Sequence, residues 1–325
     1  MNFLVTGGTG FIGAALANYL VAQGHQVRAI DDLSAGSERG ALDARVLFTR
    51  GDVRDIPKLW SLLNGVDCVC HLAARVSVPE SVLYPVEYNQ VNVGGTVSLM
   101  AAVRDAGVKR VVLASSGAIY GEQLRQPISE TAALNPQTPY AVSKLAAEQY
   151  VLTIGALWKI ETVILRIFNA YGPGQPLPPS HAPVIPRFLK QVITGGSLVV
   201  YGGGHQTRDF VYIDDVVRAM AAAAQKPGLN RVVLNVGSGT EMSLNQLIRV
   251  VEDVAERNAQ RIDRAHEGGG VSRLVADVSS AGMLLDFAPQ SDLRDGLRRM
   301  MLSDEHYAVR QPVFGLAPGA HGERG

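Results

Sequence analysis

The chain predicts an α/β fold: a doubly wound parallel sheet with helices on both faces, followed by a smaller, discontinuous C-terminal domain. Three observations carry this. Short apolar strand-like runs alternate with helix-like stretches, the pattern of a parallel sheet wrapped by its own crossovers. The first strand runs directly into a glycine-rich turn and then a helix. After Asn169 the texture changes to Pro- and Gly-rich connections between shorter elements.

Taken in order, strands are expected at 2–6, 26–30, 46–49, 68–71, 110–114 and 162–166, each a short apolar run. Helices are expected at 11–23, 92–106 and 140–157, where apolar residues recur at helical spacing. The stretch 172–186 holds many prolines and glycines and reads as a long loop. A further helix is expected at 244–258, and a loosely ordered tail from 303. The domains follow: 1–168 as a nucleotide-binding unit with 210–236 returning to it, 169–302 mainly for substrate, and 303–325 as the tail. No internal repeat is visible.

Composition bounds the function. The 325 residues are 47% apolar, enough for a sizeable core. Thirty basic and thirty acidic residues balance, so there is no basic stripe for nucleic acid and no polybasic membrane patch. No apolar run has the length of a membrane span, and no signal peptide is visible, which points to the cytoplasm. Cys68 and Cys70 alternate within one strand. A disulfide across that spacing would be strained, so both are expected as reduced core thiols. No further Cys or His cluster completes a metal site, and none is expected.

The turn Thr6–Gly13 reads TGGTGFIG. Taken as Gly8-x-Gly10-x-x-Gly13, the first glycine permits a tight turn. The second lets backbone approach a pyrophosphate, and the third lets the helix pack on the sheet. Gly7, Phe11 and Ile12 belong to the same cradle, and the helix N-terminus favours an anion. About 20 residues on stands Asp31, placed to accept hydrogen bonds from an adenosine ribose. Asp32 lies beside it and no Lys or Arg comes before Arg39. A 2′-phosphate would be repelled, which selects NAD over NADP.

Much later, YAVSK puts Tyr140 and Lys144 four positions apart, just after Pro139. That step places both on one helical face. A nearby ammonium lowers a phenol from its usual value of about 10, making it a usable acid and base. Ser116, just past the 110–114 strand, can hydrogen-bond a reacting oxygen. The three form the expected catalytic set.

At this point the chain resembles the extended short-chain dehydrogenase/reductases, in particular the NAD-dependent sugar epimerase/dehydratase group of the UDP-glucose 4-epimerase type. The motifs are TGGTGFIG, GDVRD (51–55), HLAARVSV (71–78), VNVGGT (91–96), SSGAIYG (115–121), PYAVSK (139–144), RIFNAYGPGQ (166–175) and GGGHQTRDFVYIDDV (202–216). The resemblance implies a Rossmann domain, NAD, a nucleotide-diphospho-sugar substrate and a homodimer joined through helices 92–106 and 140–157. It implies adenine contacts at Asp52 and Val53, a cleft lined by Leu72, Ala73 and Ala74, and Arg75 toward the pyrophosphate. Asn92 becomes a cofactor-side residue, with a plain helix cap as the other reading. Asn169 and Arg208 become substrate-diphosphate contacts, against a turn residue beside Gly172 and an ion pair with Asp209.

Within that group, dehydratases carry acids in the loop after the fifth strand, and nucleotide-sugar decarboxylases carry a Glu there. This chain has Gly117 and Ala118. The implied reaction is therefore C4 epimerisation through a transient 4-keto sugar. A dehydratase, a reductase and a non-catalytic NAD-binding protein remain as alternatives. One departure stands out. Relatives carry Arg-x-Gly-Asp ten residues before an Ala-Asp pair, whereas the equivalent stretch before Ala276-Asp277 is Glu267-Gly268-Gly269-Gly270. Diphosphate binding is expected to lean on Arg208 and Asn169, with Arg264 or Arg273 as possible replacements. Leu274 is expected near the sugar C2 substituent.

Overall fold

The computed structural model describes residues 1–34, 42–265, 270–304 and 307. The first half reads β1 (Asn2–Thr6), α1 (Phe11–Ala22), β2 (Gln26–Asp31), β3 (Leu47–Arg50), α2 (Ile56–Leu63), β4 (Cys68–His71), α3 (Val78–Leu83), α4 (Pro85–Tyr88), α5 (Gly95–Ala106), β5 (Arg110–Ser116), α6 (Pro139–Trp158) and β6 (Glu161–Ile167). The second half reads β7 (Asn169–Tyr171), α7 (Val184–Thr194), β8 (Ser197–Tyr201), β9 (Thr207–Arg208), β10 (Phe210–Tyr212), α8 (Ile213–Gln225), β11 (Val232–Val236), β12 (Met242–Ser243), α9 (Leu244–Ala255), β13 (Gln260–Arg264), α10 (Ser279–Leu285) and α11 (Leu293–Ser303).

Seven parallel strands form the central sheet in the order β11-β6-β5-β4-β1-β2-β3. This is the doubly wound Rossmann arrangement, and its strand order reverses between β1 and β4. The inner strands β1, β4, β5 and β6 are mostly apolar and buried because both faces are covered. One face packs against α1 and α8, the other against α2, α5 and α6. Cys68 and Cys70 are buried free thiols in β4. The remaining strands pair in three small sheets, β10-β7, β12-β9 and β13-β8. Among the described residues, no helix is long and apolar enough to cross a membrane.

Two expectations need correction. The 172–186 loop ends early, because α7 begins at Val184. Ile185, Phe188, Leu189 and Val192 repeat at helical spacing and are buried, and Pro186 sits in the first turn, where its missing N–H costs nothing. The tail does not start at 303 as a loose segment: Asp304 accepts from the Gly174 amide at 2.9 Å, and Tyr307 is buried. The rest of the expected tail, 305–306 and 308–325, lies outside the described residues.

Arg110, at the start of β5, joins the returning segment to the sheet. Its guanidinium donates to the carbonyls of Ala224 at 3.2 Å and Lys226 at 2.8 Å, at the end of α8, and pairs with Glu161 at 2.6 Å. A cation there also suits the negative end of the helix dipole. Arg110→Met should lower unfolding stability by about 1–3 kcal/mol, since buried carbonyls lose their donor. Urea denaturation with an unchanged slope checks this; a midpoint equal to wild type would refute it.

Candidate active site

The glycine turn sits at the carboxyl end of β1, beside the reversal point. Gly7, not Gly8, takes the left-handed conformation, with φ of 67°. A Cβ on Gly7 would lie 2.7 Å from the Ala73 amide nitrogen, so only glycine fits. Gly8 instead packs on Ala29, where an added Cβ would come within 2.6 Å of the alanine methyl. The working spacing is thus Gly7-x-x-Gly10-x-x-Gly13. Gly13 in α1 lies against the Gly7 carbonyl with no room for a side chain. Gly10 caps α1 without a side-chain acceptor, and the first turn holds no acid. By contrast Asp55, Thr138, Ser243 and Asp292 cap their helices. The amides from Phe11 and Ile12 onward are left for an anion. The cradle therefore fits a dinucleotide pyrophosphate.

Asp31 ends β2 and is half-buried. Its Oδ2 accepts from the Thr9 amide at 3.1 Å and its Oδ1 from the Leu33 amide at 2.8 Å, so it also braces the turn. Arg39 lies outside the described residues. Asp52 is engaged by Arg54 at 2.5 Å, which holds its carboxyl below the usual range. Val53 is buried against α5. Leu72, Ala73, Ala74 and Arg75 follow β4 and are half-buried.

Asn92 is not a helix cap. It lies buried in a π-helical turn, Asn89–Gly94, that precedes α5. Its Oδ1 accepts from the Arg75 amide at 2.7 Å. Its Nδ2 donates to the Arg75 carbonyl at 3.0 Å and to Ser143 Oγ at 2.9 Å. It thus fixes the loop after β4 to α6.

A chain of hydrogen bonds runs beneath this floor. Thr96 donates to the Asn92 carbonyl at 2.6 Å, so its oxygen accepts from His71 Nε2, 2.9 Å away. His71 Nδ1 is then the acceptor for the Thr6 hydroxyl at 2.7 Å. The Thr6 oxygen in turn accepts from the Leu72 and Ala73 amides, both at 3.2 Å. Each group has one role, and the imidazole is neutral: burial first, then the Lys144 charge, lowers it to about 3.

The expected catalytic residues are brought together. Ser116 ends β5 and caps the following short turn, Gly117–Tyr120, by accepting from the Ala118 amide at 3.2 Å. Tyr140 opens α6, capped by Thr138, and its phenol meets the Ser116 hydroxyl. Tyr140 and Lys144 are both buried. The expected acidification of the phenol is absent from the protein alone. Burial raises Tyr140, and the Ser116 hydrogen bond only partly opposes it. Burial also brings Lys144 down to about 8, against the pull of Glu148. Beside this set, Gly117 is buried, and a Cβ there would meet the Phe168 ring at 3.1 Å. A side chain at 117 would need that ring to give by a few tenths of an ångström.

Asn169 lies in β7, not in a turn, and its side chain donates to the Asp209 carbonyl at 3.1 Å. Arg208 makes no ion pair with Asp209; it donates to the Thr207 carbonyl at 2.7 Å. Burial lowers its guanidinium. Arg273 is paired with Glu241 through two bonds of 2.7 Å on the surface. Arg264 is exposed at the end of β13. Leu274 is buried beside Phe168, Ile119 and Tyr120. Glu267, with Gly268 and Gly269, lies outside the described residues.

The model of the NAD dependent epimerase/dehydratase family matches residues 3–237. The chain belongs to that family. A putative UDP-glucose 4-epimerase of Methanocaldococcus jannaschii is 34% identical over 302 residues, spanning 92% of this chain and 96% of that protein. The UDP-glucose 4-epimerase of Thermotoga maritima, solved with UDP-glucose, superposes with a TM-score of 0.89 at 31% identity, covering 93% of this chain and 98% of that one. The Thermus thermophilus UDP-glucose 4-epimerase, solved with NAD, gives 0.85 at 32%, covering 94% and 99%.

Sequence reasoning missed two elements of this family member's site. Asp209 is wholly buried and accepts from Ser238 N at 2.6 Å, Ser238 Oγ at 2.7 Å, Gly239 N at 2.9 Å and Ala276 N at 3.1 Å. It ties the three loops behind Arg208; its place next to that arginine was the available signal. The Thr6–His71–Thr96 chain was signalled only by a histidine at the end of an apolar strand.

His71 gives a pH dependence. Its ordinary value is 6.5 and its folded value about 3. The unfolded chain therefore takes up a proton below 6.5 while the folded protein refuses it until about 3. Stability is undiminished above 6.5 and falls as pH drops toward 3. Between pH 7 and pH 5 this group alone should cost about 2 kcal/mol. His71→Gln can reproduce one donor and one acceptor without titrating. Urea unfolding of both proteins at the two pH values should show a flatter response in the variant; parallel responses would refute the assignment.

Proposed function

We propose that this chain is an NAD-dependent 4-epimerase of a nucleotide-diphospho-sugar. The observation that carries this is the set formed by half-buried Ser116 with buried Tyr140 and Lys144, beside Gly117 and Ala118, which supply no second acid. Dehydration at C5 and C6 needs such an acid and base; epimerisation does not. The family relatives named for UDP-glucose 4-epimerase point the same way.

NAD would be held by Gly7, Gly10, Phe11, Ile12 and Gly13 at its pyrophosphate, and by Asp31, Asp52 and Val53 at its adenosine. Leu72, Ala73, Ala74, Arg75 and Asn92 would line its path, and Tyr140 and Lys144 would flank the nicotinamide end. When bound, NAD supplies a reversible acceptor for the C4 hydride. Tyr140 takes the C4 hydroxyl proton, with Ser116 hydrogen-bonding the same oxygen. Lys144 provides the positive charge that favours the phenolate. After the 4-keto sugar turns its other face, Tyr140 returns the proton, so each turnover is redox-neutral. Asn169 and Arg208 hold the diphosphate.

In this reading residues 1–168, with 210–236, form the cofactor unit, and 169–302 mainly hold substrate. A cytoplasmic homodimer is part of the proposal. Val142, Tyr150, Leu157 and Trp158 leave an exposed apolar stripe on α6 that a second α5–α6 face would cover.

Incubation of purified protein with UDP-, GDP-, CDP- and dTDP-hexoses, followed by NMR, should yield a C4 epimer with no net reduced cofactor. Deuterium at C4 should stay there. A 4-keto-6-deoxy product would overturn the proposal. Tyr140→Phe should bind NAD normally and lose kcat by about two to four decades; near-wild-type turnover would refute its role.

Asp31→Ala should weaken NAD by about 1–3 kcal/mol and NADP much less, because it removes ribose acceptance and phosphate repulsion together. Calorimetry with the two cofactors decides; equal losses would show that Asp31 only braces the turn.

A further inference from the structure

The face of α6 that carries Tyr140 and Lys144 continues one turn further to Glu148. Steps of four residues keep the three together, and all three are buried. Glu148 is completely shielded and anchors a polar cluster. Its Oε1 accepts from the Ser115 hydroxyl at 2.5 Å and from Arg166 Nε at 3.1 Å; its Oε2 accepts from Arg166 Nη2 at 2.9 Å. Arg166 Nη1 donates to the Tyr120 hydroxyl at 2.9 Å and the Glu130 carbonyl at 3.2 Å. Tyr120 in turn donates to Asn235 at 2.7 Å. Ser115 directly precedes Ser116. One carboxylate thus ties the strand end bearing the catalytic serine to the helix bearing the tyrosine and lysine.

The charges in this cluster are unequal in kind. Arg166 keeps its proton at any working pH, whereas a buried lysine can lose its own. Around Lys144 stand Tyr140 and Glu148 from its own helix, neutral His71 from β4, and Arg166 of β6 and Tyr120 beyond Glu148. Of these groups only Glu148 is a carboxylate. Burial draws Lys144 down to about 8, and the Glu148 charge is what resists a further fall.

We propose that Glu148 is a positioning residue for the reaction: its carboxylate keeps Lys144 an ammonium and fixes the catalytic helix to the strand carrying Ser116. It acts through Lys144 and touches no reacting atom. The inference rests on the functional reading above and adds a residue to it.

Glu148→Gln keeps hydrogen-bonding atoms but removes the charge, leaving Arg166 and Lys144 as two cations in one buried cluster. The alkaline limb of the kcat profile should move down by about one pH unit or more, the usual scale for losing a close opposite charge. Arg166→Met removes the competing cation and should move the limb the other way. Glu148→Asp keeps the charge and should bring the limb back toward wild type. A role in packing alone would lower Tm and kcat at every pH and leave the limb in place. The same titration can be read without turnover. The chain has six lysines, so 13Cε-lysine NMR with Lys144→Arg as the assignment control follows Lys144 directly. Opposite displacements in the Gln and Met variants support the inference; a Lys144 titration unmoved in both overturns it. If Glu148→Gln does not fold, Arg166→Met and Glu148→Asp decide. A wild-type protein that titrates as described yet epimerises nothing would sink the functional reading and the role in that reaction, and leave only the coupling of Glu148 to Lys144.

Discussion

The site depends on one buried joint, where the Thr6 hydroxyl meets a neutral His71 at the carboxyl ends of β1 and β4. Two parallel strands end side by side there, each with backbone groups that lose their ladder partners. Thr6 accepts from the Leu72 and Ala73 amides and donates its own hydroxyl hydrogen bond to the imidazole. The imidazole passes the connection on to Thr96 and so to the Asn92 carbonyl. With that chain saturated, the two loops after β1 and β4 come close enough for Gly7 to lie against Ala73. The cofactor cradle and the floor of the cleft are consequences of this contact, because neither loop could pack so tightly over an unsatisfied polar pair.

The proposed catalytic residues inherit their placement from the same frame. Ser116 is at the end of the strand next to β4, and α6 lies across β5 and α5. Asn92 reaches from the π turn to Ser143, one residue before Lys144. The helix is therefore held at its active end by Asn92 of the π turn, by Ser116 of β5, and, through its own Glu148, by Ser115 of β5 and Arg166 of β6. Such bracing from fixed elements is how a site keeps its geometry without help from the ligand.

Much of this was legible in the sequence. The six strands of the first half were visible because a strand covered on both faces is a short uninterrupted apolar run. The positions of Ser116, Tyr140 and Lys144 followed from motif and helical step. What escaped detection depended on contacts between distant segments. Asn92 resembled a cofactor-side residue or a helix cap, since nothing in Asn-Val-Gly-Gly announces a π turn. In sequence Asp209 was only an alternative ion-pair partner for Arg208, yet it turns inward to serve four donors on loops far along the chain. The first residues of α7 resembled loop because proline density outweighed the apolar period behind it. The expected lowering of the Tyr140 phenol failed for a simpler reason: a sequence records neighbours in the chain but not the loss of water around them.

The π turn at 89–94 has a meaning for how such a protein can change. A turn of this kind holds one residue more than a regular helix needs, and that surplus lets Asn92 leave the helical stack and grip the loop opposite. Removing a single residue there would produce a smoother and locally better-bonded helix. It would also release Arg75, Ser143 and the floor between them. The segment is held in its irregular form against its own local preference, so a search for greater stability would tend to erase it.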